Sequence, residues 1–192
     1  MNFYEHCNIC INSKTNLQDG ITCGLTTQKP SFDETCPDIR FNKEFEKKLG
    51  LIHIEIERLK KRKRLIYIKS CFFMVLGCGL MFGANSLMEI THKPSVYEFK
   101  IKLAIIVIGF ALSSFGYKTL HQFIKKTKNF KEKKNKIDLL LNKYLIKYSC
   151  NIDFGKKYHG NQEITFELKS ENHLLKNSKI TYEIKDYLDY VF

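Results

Sequence analysis

The stretch SCFFMVLGCGLMFGANSLM, from Ser70 to Met88, runs 19 residues without a charge. At about 1.5 Å of rise per residue, a helix of that length covers the roughly 30 Å hydrocarbon core of a bilayer. A second stretch, LAIIVIGFALSSFGY from Leu103 to Tyr117, has 15 charge-free residues. Ile101 precedes it, Leu120, Phe123 and Ile124 follow it, and Lys100, Lys102 and Lys118 can snorkel to the interfaces. A polar link carrying His92, Lys93, Pro94 and Glu98 joins the two. The pair predicts a transmembrane hairpin, with spans at 65–90 and 100–120 and an external link at 91–99. A buried core helix is the competing reading of the second segment alone. With about 64 residues ahead of it, the first segment does not have the position of a secretory signal.

Basic residues close to each span predict the orientation. Lys60, Lys61, Arg62, Lys63, Arg64 and Lys69 precede the first span, and Lys118, Lys125, Lys126, Lys128, Lys131, Lys133, Lys134 and Lys136 follow the second. The link holds only Lys93, with Lys100 and Lys102 at the edge of the second span. Both termini are therefore expected in the cytoplasm.

The net charge of +12 is concentrated in two blocks. Residues 41–69 carry +6 and residues 121–149 carry +7, whereas residues 1–40 come to −2 and residues 150–192 to −1. A uniformly basic nucleic-acid binder would not be charged in this way. Blocks that abut a span on its cytoplasmic side suit anionic lipid head groups, each residue near the surface contributing about 1 kcal/mol.

Each block also carries an apolar stripe. Phe41, Phe45, Leu49, Ile52, Ile56 and Leu59 recur every three or four residues, which predicts an amphipathic helix over 41–64. With no proline before the first span, one helix from Phe41 to Glu89 follows, weakened slightly by Gly50. Leu120, Phe123, Ile124, Phe130, Ile137, Leu140, Leu141, Tyr144 and Tyr148 predict a second, basic helix over 121–149. Side by side the two would form an antiparallel stalk of about 25 residues, nearly 40 Å long. Within the spans, Gly79 and Gly83 are four apart, as are Gly109 and Ser113. Such small faces serve packing within the hairpin, the simpler reading, or a homodimer through Gly79 and Gly83. Cys71 and Cys78 read as small apolar residues of the span.

The first forty residues hold Cys7, Cys10, Cys23 and Cys36, spaced C-x2-C-x12-C-x12-C, with Gly20, Gly24, Pro30 and Pro37 as turn formers. So short a segment needs a cross-link to fold. Reduced cytosolic thiols favour tetrahedral zinc over disulfides, and Cys7 with Cys10 has the spacing of a ligand knuckle. Cys23 and Cys36 make no second close pair, so a redox-active pair and plain buried thiols stay open beside structural zinc. His6 is a bystander that could substitute as a ligand.

The string from Cys7 to Ile39 resembles the N-terminal four-cysteine module of small bacterial two-span membrane proteins of unassigned function. The parts that carry the likeness are Cys7 and Cys10; Gly20, Ile21, Cys23, Leu25 and Thr26; and Lys29, Pro30, Phe32, Thr35, Cys36, Pro37 and Asp38. The resemblance covers about a sixth of the chain. It implies a recurring metal-binding module and brings no activity with it.

After Cys150 the period changes. QEITFELK places Ile164, Phe166 and Leu168 on one face, SKITYEIK does the same with Ile180, Tyr182 and Ile184, and a third strand is expected near Ile152 and Phe154. So small a sheet needs cover, from the cysteine module or from the stalk.

No Walker A loop, G-x-G-x-x-G, H-E-x-x-H or G-x-S-x-G occurs. The histidines are scattered, and Cys150 with His159, the one nucleophile and base suggested by proximity, lacks a third group. Glu163 and Glu167 read as a solvated face.

The expected fold is therefore a mainly α membrane protein. A two-helix transmembrane hairpin extends into the cytoplasm and carries a small four-cysteine module (1–40) and a small antiparallel β domain (150–192). The expected function is a non-enzymatic adaptor or sensor with structural zinc on Cys7, Cys10, Cys23 and Cys36. It would sit in the bilayer, contact anionic lipid head groups and bind a protein partner at its cytoplasmic side. The alternative is a redox- or metal-responsive protein using the Cys7/Cys10 pair.

Overall fold

A computed structural model of the chain describes residues 3–16, 20–32, 34–89, 96–159, 161–172 and 174–185. The element order is α1 (Phe3–Asn8), β1 (Ser13–Asn16), β2 (Gly20–Cys23), α2 (Lys43–Glu89), α3 (Val96–Lys143), β3 (Tyr148–Tyr158), β4 (Asn161–Ser170) and β5 (Ser178–Lys185). The chain divides into two compact units, one made of Met1–Glu55 with Lys131–Phe192, the other of Ile56–Phe130.

In the first unit, α2 starts two residues later than its apolar stripe suggests. Asn42 is the N-cap, its Oδ1 accepting the Phe45 N–H at 2.7 Å. Phe41 instead pairs with Cys10 in an antiparallel bridge. The basic helix likewise stops at Lys143, short of residue 149. Leu145 takes a left-handed conformation, φ 54°, and the N–H of Ile146 reaches back to the Leu141 carbonyl at 3.0 Å, with Leu145 N–H bonded to Asn142. This is a Schellman cap, and the two apolar residues that flank it, Leu141 and Ile146, are both buried in one core. Tyr148, which shares the helical spacing, belongs to β3.

β3, β4 and β5 form an antiparallel sheet in that order. The expected third strand exists and is the longest, with Ile152 opposite Phe166 and Phe154 opposite Ile164. Ile164, Phe166 and Leu168 are buried, and they share one core with Ile39, Phe41, Phe45, Leu49, Ile54, Leu140 and Leu141. The sheet is thus covered both by the helix segments and by the residues leading out of the N-terminal region. Full burial of a side chain as large as Phe166 contributes about 1.5–3 kcal/mol.

Gly50 is where the sheet meets α2 most closely. A Cβ there would lie 2.5 Å from Tyr182 Oη and 3.0 Å from Phe166 Cδ1, and Tyr182 O–H donates to the Lys47 carbonyl at 3.0 Å. The glycine that weakens the helix locally is therefore what lets the sheet seat.

In the second unit, α2 and α3 pack through small residues, and of the two pairs singled out by spacing Gly109 and Ser113 lie at the contact, both against Gly77, whereas Gly79 and Gly83 do not. A Cβ on Gly109 would stand 2.7 Å from the Gly77 carbonyl oxygen, and one on Gly116 would stand 2.8 Å from that of Ser70. Gly79 and Gly83 have nothing within 4 Å of such a Cβ. Phe73 meets Phe115 edge to face at 5.4 Å. Both helices are long and apolar enough to cross a membrane, with mean hydropathy of 1.9 and 1.8 over their most apolar stretches and only 11% of each stretch buried. A soluble core helix would be mostly buried. Here Phe72, Val75, Phe82, Val107 and Phe110 are exposed. The link residues His92, Lys93 and Pro94 lie outside the described residues.

Gly50→Ala is expected to destabilise the protein by about 1–3 kcal/mol, because overpacking at the sheet outweighs the helix propensity gained. Denaturant unfolding followed by circular dichroism measures it, and a neutral or stabilised variant would contradict the close approach.

Candidate functional site

The N-terminal region builds a cavity from short, tightly hydrogen-bonded pieces. β1 and β2 form a hairpin with Ser13 opposite Cys23. Ile11 N–H bonds the Arg40 carbonyl at 2.7 Å and Asn42 N–H bonds the Ile9 carbonyl at 2.9 Å, tying the hairpin to the entrance of α2. These pieces bring Cys7 at the end of α1, Cys10 after it, Cys23 at the end of β2 and Cys36 in the next loop to the lining of one cavity of about 200 Å³. His6 lines it too. All four cysteines are free thiols.

The sulfurs differ electrostatically. Burial pushes the Cys7 thiol up, and Cys36, Cys10 and Cys23 add to this, because nearby thiolates repel a new negative charge. Cys36 is also raised, mainly by burial, while the backbone N–H of Asp38 works against the shift. Cys23 is lowered by the backbone N–H groups of Leu25 and Thr26. A sulfur held by amides two and three residues ahead is the arrangement of a ligand knuckle. Sequence spacing reveals such a turn at Cys7 and Cys10, but at Cys23 it needs no second cysteine and so leaves no C-x2-C signature.

Tyr144, just past α3, supports the site from the other end of the chain. Its Oη accepts the Cys36 N–H at 3.2 Å and lies 2.6 Å from His6 Nδ1. Burial, reinforced by the neighbouring thiols, raises its pKa and keeps the hydroxyl protonated. His6, 3% exposed, thus has one ring nitrogen committed to a structural bond.

The donor chemistry suits zinc, whose four thiolates sit about 2.3 Å from the ion and so less than about 4 Å from each other. Among the described residues, however, no group of three or more His, Cys, Asp or Glu side chains is placed to hold a metal ion. The four cysteines share a cavity without converging on one point.

A second cluster lies in the same unit. Cys150 pairs with His53 of α2, with Sγ 3.2 Å from Nδ1, and not with His159. Cys150 stands near the start of β3 and His159 just past its end, nearly 30 Å away at strand rise. His53 and Cys150 are 97 residues apart, and nothing in their spacing marks the pair. Glu167, by contrast, is on the solvated face of the central strand β4 and pairs with Lys179 at 3.0 Å.

Comparison with protein-family models, with curated proteins and with solved structures finds no match.

Tyr144→Phe removes both bonds of the Tyr144 hydroxyl and is expected to cost about 1–3 kcal/mol, the penalty of leaving a part-buried N–H without its acceptor. A melting temperature equal to that of the wild type would show that Tyr144 does not brace the cysteine loop.

Proposed function

We propose that this chain is an integral membrane protein with two spans and both termini in the cytoplasm. It acts as a non-enzymatic adaptor or sensor, its N-terminal region held by structural zinc on Cys7, Cys10, Cys23 and Cys36. The observation that carries the reading is that all four cysteines, spread from Cys7 to Cys36 in the sequence, line one cavity. The amide bonds to Cys23 and Cys36 support it further, since they stabilise the thiolate form that a metal requires. The basic blocks flanking the spans support the orientation and contact with anionic lipid head groups. The surface of the zinc-held region and the sheet would receive a protein partner, and Gly79 and Gly83, left open by the hairpin, would admit a second copy.

The alternative, a redox switch between Cys7 and Cys10, is less well supported. Reactive C-x2-C pairs lower the pKa of one thiol at a helix N-terminus. Cys7 lies near the C-terminal end of α1, and its pKa is raised.

Protein purified under reducing conditions without chelator is expected to carry about one zinc per chain, lost together with thermal stability in Cys23→Ser or Cys36→Ser. Elemental analysis of wild type and variants checks this, and zinc-free wild type would rule the metal out. Reporters that work on only one side of the membrane, fused in turn to each terminus, should place both ends inside. Either end found outside would overturn the topology and, with it, the case for reduced thiols.

A further inference from the structure

The cluster around Cys150 is a directed chain of hydrogen bonds. Sγ lies 3.2 Å from His53 Nδ1, and His53 Nε2 lies 3.1 Å from Tyr148 Oη. Tyr148 O–H donates to Asp138 Oδ1 at 2.5 Å, and Lys134 pairs with the other carboxylate oxygen. The last links set the rest. The only proton of the Tyr148 hydroxyl goes to Asp138, so its oxygen must accept from Nε2–H, which assigns the proton of neutral His53 to Nε2. Nδ1 then presents a lone pair to the Cys150 thiol.

The imidazole is held by its neighbours. Tyr148 meets it edge to face at 5.7 Å and Phe166 lies against it at 6.4 Å. Nucleophile, base and orienting groups stand in the order that activates a cysteine. Burial, then the Asp138 bond and charge, raise the pKa of Tyr148 and keep it a hydroxyl throughout.

Cys150 also opens on a cavity of about 370 Å³, lined by the chain itself with Asn142, Ile146 and Lys147. Among the described residues the lining is mostly polar, with Ile146 its one aliphatic side chain, which does not suit an acyl chain. Among the described residues no second thiol lines the cavity, which does not favour an internal disulfide as the product. A small polar electrophile that brings its own leaving group fits.

We propose that Cys150 is a nucleophilic thiol, with His53 as its base, that reacts with small hydroperoxides. His53 Nδ1 takes the Sγ proton, and the imidazolium charge is spread through Nε2–H to Tyr148 and Asp138. The thiolate attacks the distal peroxide oxygen, forming an S–O bond as the O–O bond breaks. The departing hydroxide or alkoxide takes the proton from Nδ1. Sulfur is oxidised by two electrons to a sulfenic acid that keeps the attacked oxygen with its hydrogen, and the other peroxide oxygen leaves as water or an alcohol. Tyr148 and Asp138 are positioning residues. The proposal is independent of any metal on Cys7, Cys10, Cys23 and Cys36.

The test uses the full chain, reduced, in lipid nanodiscs, with limiting hydrogen peroxide and a cyclic 1,3-diketone that traps sulfenic acids. Peptide mass spectrometry then separates Cys150 from the other cysteines. Cys150 is expected to be trapped first, with the rate falling at least about tenfold in His53→Gln. In the wild type, alkylation of Cys150 by iodoacetamide should rise with pH through a midpoint below the value of about 8.5 for a free cysteine, and Tyr148→Phe should move that midpoint up. The wild-type profile needs no substitution, so it decides the matter even if His53→Gln fails to fold. A midpoint at or above that of free cysteine overturns the proposal, as does trapping confined to the N-terminal cysteines. Ready alkylation with no response to peroxide overturns the choice of reactant.

Discussion

Contact between the β4 face and α2 at Gly50 is the constraint on which the first unit depends. Phe166 is fully buried, and a Cβ at position 50 would crowd both its ring and the Tyr182 hydroxyl. Around this point the core gathers Phe45, Leu49 and Ile54 from α2, Leu140 and Leu141 from α3, and Ile39 and Phe41 from the N-terminal region. The segments come from opposite ends of the chain, and a sheet of three strands could not bury its apolar face without them.

Both chemically distinctive clusters hang from that core, and each is braced by a tyrosine that follows α3. Tyr144 joins His6 to the Cys36 backbone. Tyr148 joins His53 to Asp138, with Cys150 on the far side of the imidazole. The Schellman cap at Leu145 stands between the two tyrosines, so one short reversal of the backbone separates a helix-end tyrosine from a strand tyrosine. In both clusters burial raises the tyrosine pKa, which keeps a hydroxyl available as both donor and acceptor.

The second unit follows different physics. Many of its large apolar side chains are exposed, while Gly77, Gly109 and Gly116 lie at the contact between the helices. Where apolar surroundings give no hydrophobic drive to pair, close backbone approach and dispersion hold helices together. Gly77, Gly109 and Gly116 mark that approach.

The two long apolar helices were legible in the sequence, because charge-free length is a property of consecutive residues. So were the strands around Phe166 and Ile180, because alternation is local, and the gathering of four cysteines near the N-terminus. Helix ends were less legible: Asn42 caps one residue past Phe41, and a left-handed Leu145 carries no glycine signal. Which small residues meet across the hairpin depended on helix rotation, which spacing alone leaves free. Tertiary structure alone decided that His53 faces Cys150 and that Tyr144 braces Cys36, for these partners lie 97 and 108 residues apart. Local periodicity carries the class and extent of each element, whereas a side-chain pair across such a separation exists only once the core has brought two elements together.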